Sequence, residues 1–230
     1  MLVSHRHQFI YTKTFKTAST SVEIYFEDAC LPQGRGAVDR HRIAETVSAA
    51  GIVGRRGAGG PSAPWYNHMP ASLIRERLGD EIWRRYFKFC VIRNPFEKLV
   101  SQYWFSMPVA RKAAMAVWPQ QAIQRDFATW LMAGAAGVLD RDLYFIDGSV
   151  CVDFFIRHES LLEGIEEVCR KVGLPFAPDN LGHYKSEPHP VGMPTAAYYD
   201  HAGMAIVENL FDWELAHFGY ALGPDGPSAS

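Results

Sequence analysis

Residues 8–26 read QFIYTKTFKTASTSVEIYF, and this stretch sets the fold class. Gln8-Phe9-Ile10-Tyr11-Thr12 is a short aromatic and β-branched run of the kind that forms buried strands, while Val22, Ile24, Tyr25 and Phe26 make an apolar cluster suited to a helix. The polar loop Phe15-Lys16-Thr17-Ala18-Ser19-Thr20-Ser21 lies between them, so the order is strand, loop, helix. A helix start leaves backbone N–H groups unpaired at the positive end of the macrodipole. Ala18 to Ser21 are therefore expected to offer donors to a phosphate or sulfate, with Lys16 as a point charge beside them. A second reading fits equally well: Thr17 and Ser19 as N-caps of an ordinary helix, and Lys16 as a solvated surface residue. The loop is not a Walker A sequence, because its lysine precedes the small residues, which weakens a nucleoside triphosphatase reading.

A second strand–helix junction lies at residues 86–106. The apolar run Phe87 to Ile92 ends in Arg93, and Asn94 followed by Pro95 signals a helix start with an apolar stripe of Phe96, Leu99, Val100, Tyr103 and Trp104. Arg93 thus falls at the carboxyl end of a strand, the edge at which open α/β sheets bind ligands, and a guanidinium can fork onto a phosphate. Ser101 lies about two turns into that helix and could supply a hydroxyl.

The paired segments resemble the sulfotransferases that use 3′-phosphoadenosine 5′-phosphosulfate (PAPS). Lys16, Thr17, Thr20 and Ser21 fill the family's P-K-[ST]-G-x-[TS]-[ST] loop, which holds the 5′-phosphosulfate. Arg93, Asn94, Pro95, Lys98 and Ser101 fill its R-N-P-x-x-R/K-x-x-S segment, which holds the 3′-phosphate. The likeness continues through Tyr66-Asn67-His68-Met69-Pro70-Ala71, similar to the carbohydrate and bacterial branches, through the strand-like run Val152 to Leu161, and to the ending Phe218-Gly219-Tyr220. The resemblance implies a three-layer α/β/α fold with a central parallel sheet, like that of the P-loop kinases. It also implies sulfuryl transfer to a hydroxyl, in a carbohydrate or glycolipid acceptor. Lys16, Thr17, Ala18, Ser19, Thr20, Ser21, Arg93, Ser101 and, from a late loop, Lys185 are then the donor-binding residues. Phe15 stands where the family has proline, and Ala18 where it prefers glycine; an alanine there is expected in αR or β conformation.

The chemistry asks for charge stabilisation on the leaving phosphate oxygen and for removal of the acceptor proton. Lys16 suits the first need. For the second, His68 is the candidate, with His158, His183 and His189 as rivals. No metal is expected, because a sulfuryl group carries less charge than a phosphoryl group. Two other classes stay open: a phosphotransferase, for which Asp153 is the one metal-holding acid in view, and a non-catalytic nucleotide-binding relative.

Composition bounds the rest. With 230 residues, 48% apolar and 21% charged, one sizeable core and a single domain over 1–230 are expected. The net charge of −2 argues against bulk nucleic-acid binding, and the pairs Arg55-Arg56 and Arg84-Arg85 read as solvated surface. Four cysteines without paired spacing read as buried thiols, and the lack of an apolar run or signal-like start suggests a cytoplasmic protein. A flexible Gly-rich insertion is expected around 32–64, lid or linker, with a modest helical pattern over Val38 to Val47. An irregular link is expected at 107–120, and Arg157 with Glu159 reads as an ion pair on one strand face. The sequence is silent on oligomeric state.

Overall fold

A computed structural model describes residues 1–33, 43–57, 62–182 and 192–223. Contacts divide the chain into two units, Met1–Ile92 with Asp140–Ser186, and Arg93–Leu139 with Glu187–Ser230.

In the first unit, short strands alternate their side chains between two apolar layers. The strands β1 (Leu2–Ser4), β2 (Phe9–Tyr11), β3 (Thr46–Ser48), β4 (Gly51–Val53), β5 (Phe87–Ile92) and β8 (Phe154–Arg157) form a six-stranded sheet in the order β3-β4-β1-β2-β5-β8. Leu2, Phe9, Tyr11, Phe89, Val91 and Ile156 face α1 (Ser19–Glu27) and α7 (Leu161–Val172) through Val22, Phe26, Ile165 and Val168. Val3, Ile10 and Ile52 face the opposite way, onto α2 (Ala71–Leu78) and α3 (Asp80–Arg85) through Ala71, Ile74 and Trp83. The sheet therefore lies between two helical layers. A small hairpin, β6 (Phe145–Ile146) with β7 (Ser149–Val150), stands apart from it.

The sheet is mixed, which corrects the expectation of a parallel one. β2, β5 and β8 are parallel, whereas β1 runs antiparallel to β2 and β4, and β3 antiparallel to β4. β1 escapes periodicity analysis because three residues are too few to show a pattern. The Gly-rich stretch contributes the β3–β4 hairpin rather than the end of a helix: Thr46 and Val47 are β-branched, and Ala49-Ala50 makes the turn. Gly51 is required there, since a Cβ would lie 2.2 Å from the Val3 carbonyl oxygen. Residues 34–42 and 58–61 of that stretch lie outside the described residues.

The second unit is helical. Asn94 caps α4 (Pro95–Ser106) by accepting the Phe96 N–H at 3.1 Å, and its amide donates to the Ala221 carbonyl at 3.0 Å. Phe96, Leu99, Val100, Tyr103 and Trp104 pack with Ile123, Phe127 and Leu131 of α6 (Gln120–Gly134), with Val207 of α8 (His201–Leu210), and with Phe211, which precedes α9 (Asp212–Phe218). The segment expected to be irregular at 107–120 holds a helix, α5 (Val109–Met115), in which Met115 is the buried anchor. Among the described residues no helix is long and apolar enough to cross a membrane.

Candidate functional site

The loop between β2 and α1 is built to leave donors open. Ala18 is the residue at the N-cap of α1, with φ 55° and ψ 20°, and no side chain caps the helix. The capping role considered for Thr17 or Ser19 is thus absent, and the αR or β backbone expected of Ala18 is corrected to the left-handed region. Lys16 also has positive φ, at 56°, while Thr17 between them does not. Such alternation is the backbone pattern of an anion nest, in which successive N–H groups converge. The N–H groups of Ser21 and Val22 are taken by the Ala18 carbonyl, at 2.9 and 3.2 Å. Among the described residues, the N–H groups of Thr17, Ala18, Ser19 and Thr20 have no acceptor. Half-buried Lys16 lies in the same turn. The open donors fit a tetrahedral oxyanion at a helix N-terminus.

The side chains below the loop hold it rather than bind a ligand. Thr14 donates its only hydroxyl proton to the Val91 carbonyl at 2.5 Å, so the Thr17 hydroxyl 2.8 Å away must donate to Thr14. With its hydroxyl committed to Thr14, Thr17 has no side-chain donor left for an anion. The Tyr11 hydroxyl donates to the Ser19 carbonyl at 3.2 Å, and the Phe15 N–H to the Asp140 carboxylate at 2.9 Å. Ser19 and Ser21 are buried, and Thr20 is half-buried.

Beneath them sits a charge cluster that sequence reasoning missed. Glu23 of α1 is fully buried and accepts from Lys13 Nζ at 2.7 Å, Arg56 Nε at 2.7 Å and the Met1 amine at 3.3 Å, while Arg56 also pairs with Glu27. The Asn67 amide, with its nitrogen turned inward, donates to Glu23 Oε1 at 3.1 Å and to the Arg55 carbonyl at 3.2 Å. Burial alone would raise the Glu23 pKa, but Lys13, the amine and Arg56 outweigh it and hold the carboxyl well below the usual range. Arg56 is therefore a buried structural cation, not the solvated residue expected. The signal was present in Glu23 and Glu27, an i, i+4 acidic pair within an otherwise apolar helix segment.

His68 stands against the loop. Its Nδ1 lies 2.7 Å from the Lys13 carbonyl, and its ring stacks on Phe15 with centroids 3.9 Å apart and planes 9° from parallel. A carbonyl can only accept, so Nδ1 carries the proton and Nε2 keeps a lone pair. Burial, then the charge of Lys13, pushes the pKa down to about 3, so the imidazole is neutral at ordinary pH. His68 has φ 56°; of the five non-glycine residues with positive φ among those described, three are Lys16, Ala18 and His68. Strain of this kind gathers at functional sites.

In the second unit, half-buried Arg93 pairs with Glu97 at 3.4 Å, and Glu97 also accepts from Thr195. Ser101 is half-buried on α4, whereas Lys98 is buried with its ammonium 5.7 Å from the Phe211 ring centroid. Lys185, with the rivals His183 and His189, lies outside the described residues. His158 and Glu159 sit in a 3-10 turn, His158–Ser160, beyond the end of β8, so Arg157 and Glu159 do not share a strand face. Asp153, the acid considered for a metal, lies at the amino end of β8 and pairs with Lys88 at 2.8 Å. The cradle follows the carboxyl end of the parallel strand β2, so Asp153 stands at the opposite edge of the sheet from it. All four cysteines are free thiols, Cys30, Cys90 and Cys169 buried and Cys151 half-buried.

The family model described as "Sulfotransferase family" matches residues 1–117, a span that contains the cradle, His68 and Arg93. The chain is also similar to an uncharacterized protein of Archaeoglobus fulgidus, 31% identical over 112 residues that make up 46% of this chain and 84% of the relative. No solved structure matches the chain.

Proposed function

This chain belongs to the sulfotransferase family, and on that premise we propose that it moves a sulfuryl group from PAPS to a hydroxyl of a carbohydrate-containing acceptor, a glycan or glycolipid. The observation that carries this reading is the cradle of four open N–H groups at Thr17 to Thr20 with Lys16 in the same turn. In the proposed reaction the bond between sulfur and the bridging oxygen breaks as the acceptor oxygen bonds to sulfur, leaving adenosine 3′,5′-bisphosphate and a sulfate ester. The cradle orients the phosphosulfate, and Lys16 stabilises charge on the departing oxygen. His68 Nε2 takes the acceptor proton. The pKa of about 3 makes His68 a weak base alone, and an anionic donor beside it opposes the Lys13 charge and strengthens it.

Arg93, Ser101 and Lys185 are proposed for the 3′-phosphate on the family pattern. The parallel strands β2, β5 and β8, with the cradle after β2, support a P-loop kinase-like arrangement in the first unit. A cytoplasmic setting accords with the free thiols. The test is transfer of radiolabelled sulfur from PAPS to a panel of glycans and glycolipids. Lys16→Ala is expected to lower kcat by roughly 100- to 1000-fold, while Arg93→Ala mainly raises the donor KM. Unchanged turnover in the lysine variant would rule out its role.

A further inference from the structure

His68 is held by two contacts of different kinds, and they constrain different motions. The hydrogen bond from Nδ1 to the Lys13 carbonyl fixes one point in the ring plane but lets the imidazole turn about the line of that bond. The Phe15 ring, lying 3.9 Å away and within 9° of parallel, removes that freedom, because turning would drive the imidazole edge into the phenyl face. The main chain that carries this ring is anchored, the Phe15 N–H donating at 2.9 Å to the buried carboxylate of Asp140. The chain carries phenylalanine where the family pattern has proline, and proline has neither an aromatic face to stack nor an N–H to anchor.

We infer that Phe15 is a positioning residue for the base: with the Lys13 carbonyl it locks His68 as the Nδ1-protonated tautomer and fixes the direction of Nε2. The inference rests on the proposed role of His68, but its structural half stands independently. Phe15 touches neither donor nor acceptor in this account; it acts through the imidazole. Strain at His68, with φ 56°, is what the two contacts offset.

The test uses the full chain with histidine labelled in nitrogen-15, its nine histidines resolved by the loss of one signal set in His68→Gln. In the wild type, long-range proton–nitrogen spectra are expected to show His68 wholly protonated at Nδ1. Phe15→Leu, which keeps apolar bulk but removes the ring face, is expected to give a mixture of tautomers, and Phe15→Tyr to restore the single one. Turnover is read as inorganic sulfate released from PAPS to water. Phe15→Leu is expected to lose roughly 10- to 100-fold in kcat with donor KM little changed, as misorientation of a reacting group does. An Nε2-protonated His68 in the wild type overturns the inference even if neither Phe15 variant folds. A single tautomer and unchanged kcat in Phe15→Leu overturn it as well. If His68→Gln keeps full turnover, the base role fails instead, and the tautomer spectra still decide what Phe15 does.

Discussion

Replacing Glu23 by glutamine is expected to be the most costly conservative change in the first unit. The carboxylate is fully buried and accepts from Lys13 and Arg56 at 2.7 Å each, from the Met1 amine at 3.3 Å and from the Asn67 amide at 3.1 Å. Glutamine keeps the shape, removes the charge, and brings an NH₂ group against donors. Buried Arg56 then keeps Glu27, while Lys13, also buried, loses the carboxylate it donates to. Breaking a buried ion pair by removing one partner costs about 3–5 kcal/mol, against about 5–15 kcal/mol for the whole stability of a typical domain. Urea unfolding should show that loss with an unchanged slope, while Glu167→Gln in the exposed pairs of α7 leaves the midpoint in place. The penalty should also shrink in acid. Glu23 is held below its unfolded pKa of 4.5, so its contribution is present above that pH and is lost as pH falls. A Glu23→Gln protein within about 1 kcal/mol of the wild type at neutral pH would refute the cluster as the loop's foundation.

Two further outcomes follow from backbone and titration. Ala18→Gly should stabilise the chain by up to about 1.5 kcal/mol, since left-handed backbone costs alanine about 1–2 kcal/mol and glycine loses about 0.5–1 kcal/mol through its freer unfolded state; a thermal midpoint that falls would contradict the left-handed turn. For His68, the folded pKa of about 3 lies below the unfolded 6.5, so the unfolded chain binds the proton first and stability is lost as pH drops through that window. Between pH 6.5 and 5 the loss should reach about 2 kcal/mol and be absent in His68→Gln; a ring signal titrating near 6.5 would overturn it.

Much of the parallel half of the fold was legible. The strand and helix around the loop, the strand Phe87–Ile92 and the Asn94–Pro95 helix start all carry local signals, because each is written within a few residues. The antiparallel half was not: β1, β3 and β4 have three residues each, as short as β2, and lack a local signal such as its junction with a loop and helix, taking their definition from strand pairing. The same distinction runs through the site. Lys16 and the small residues could be read from their neighbours, and His68 from the family likeness. The stack on Phe15, the inward turn of Thr17 and the burial of Arg56 depend on contacts between segments far apart in sequence. Ala18 shows a subtler failure: steric preference argues against a left-handed alanine, and the fold accepts that strain where the open N–H groups need it.

We propose that the loop and its partners bind the nucleotide end of a sulfuryl donor. Isothermal titration of the full chain with adenosine 3′,5′-bisphosphate tests it most directly. Saturable one-to-one binding well below millimolar concentration, weakened in Arg93→Ala, is the predicted result, and no binding heat at millimolar concentration would contradict it.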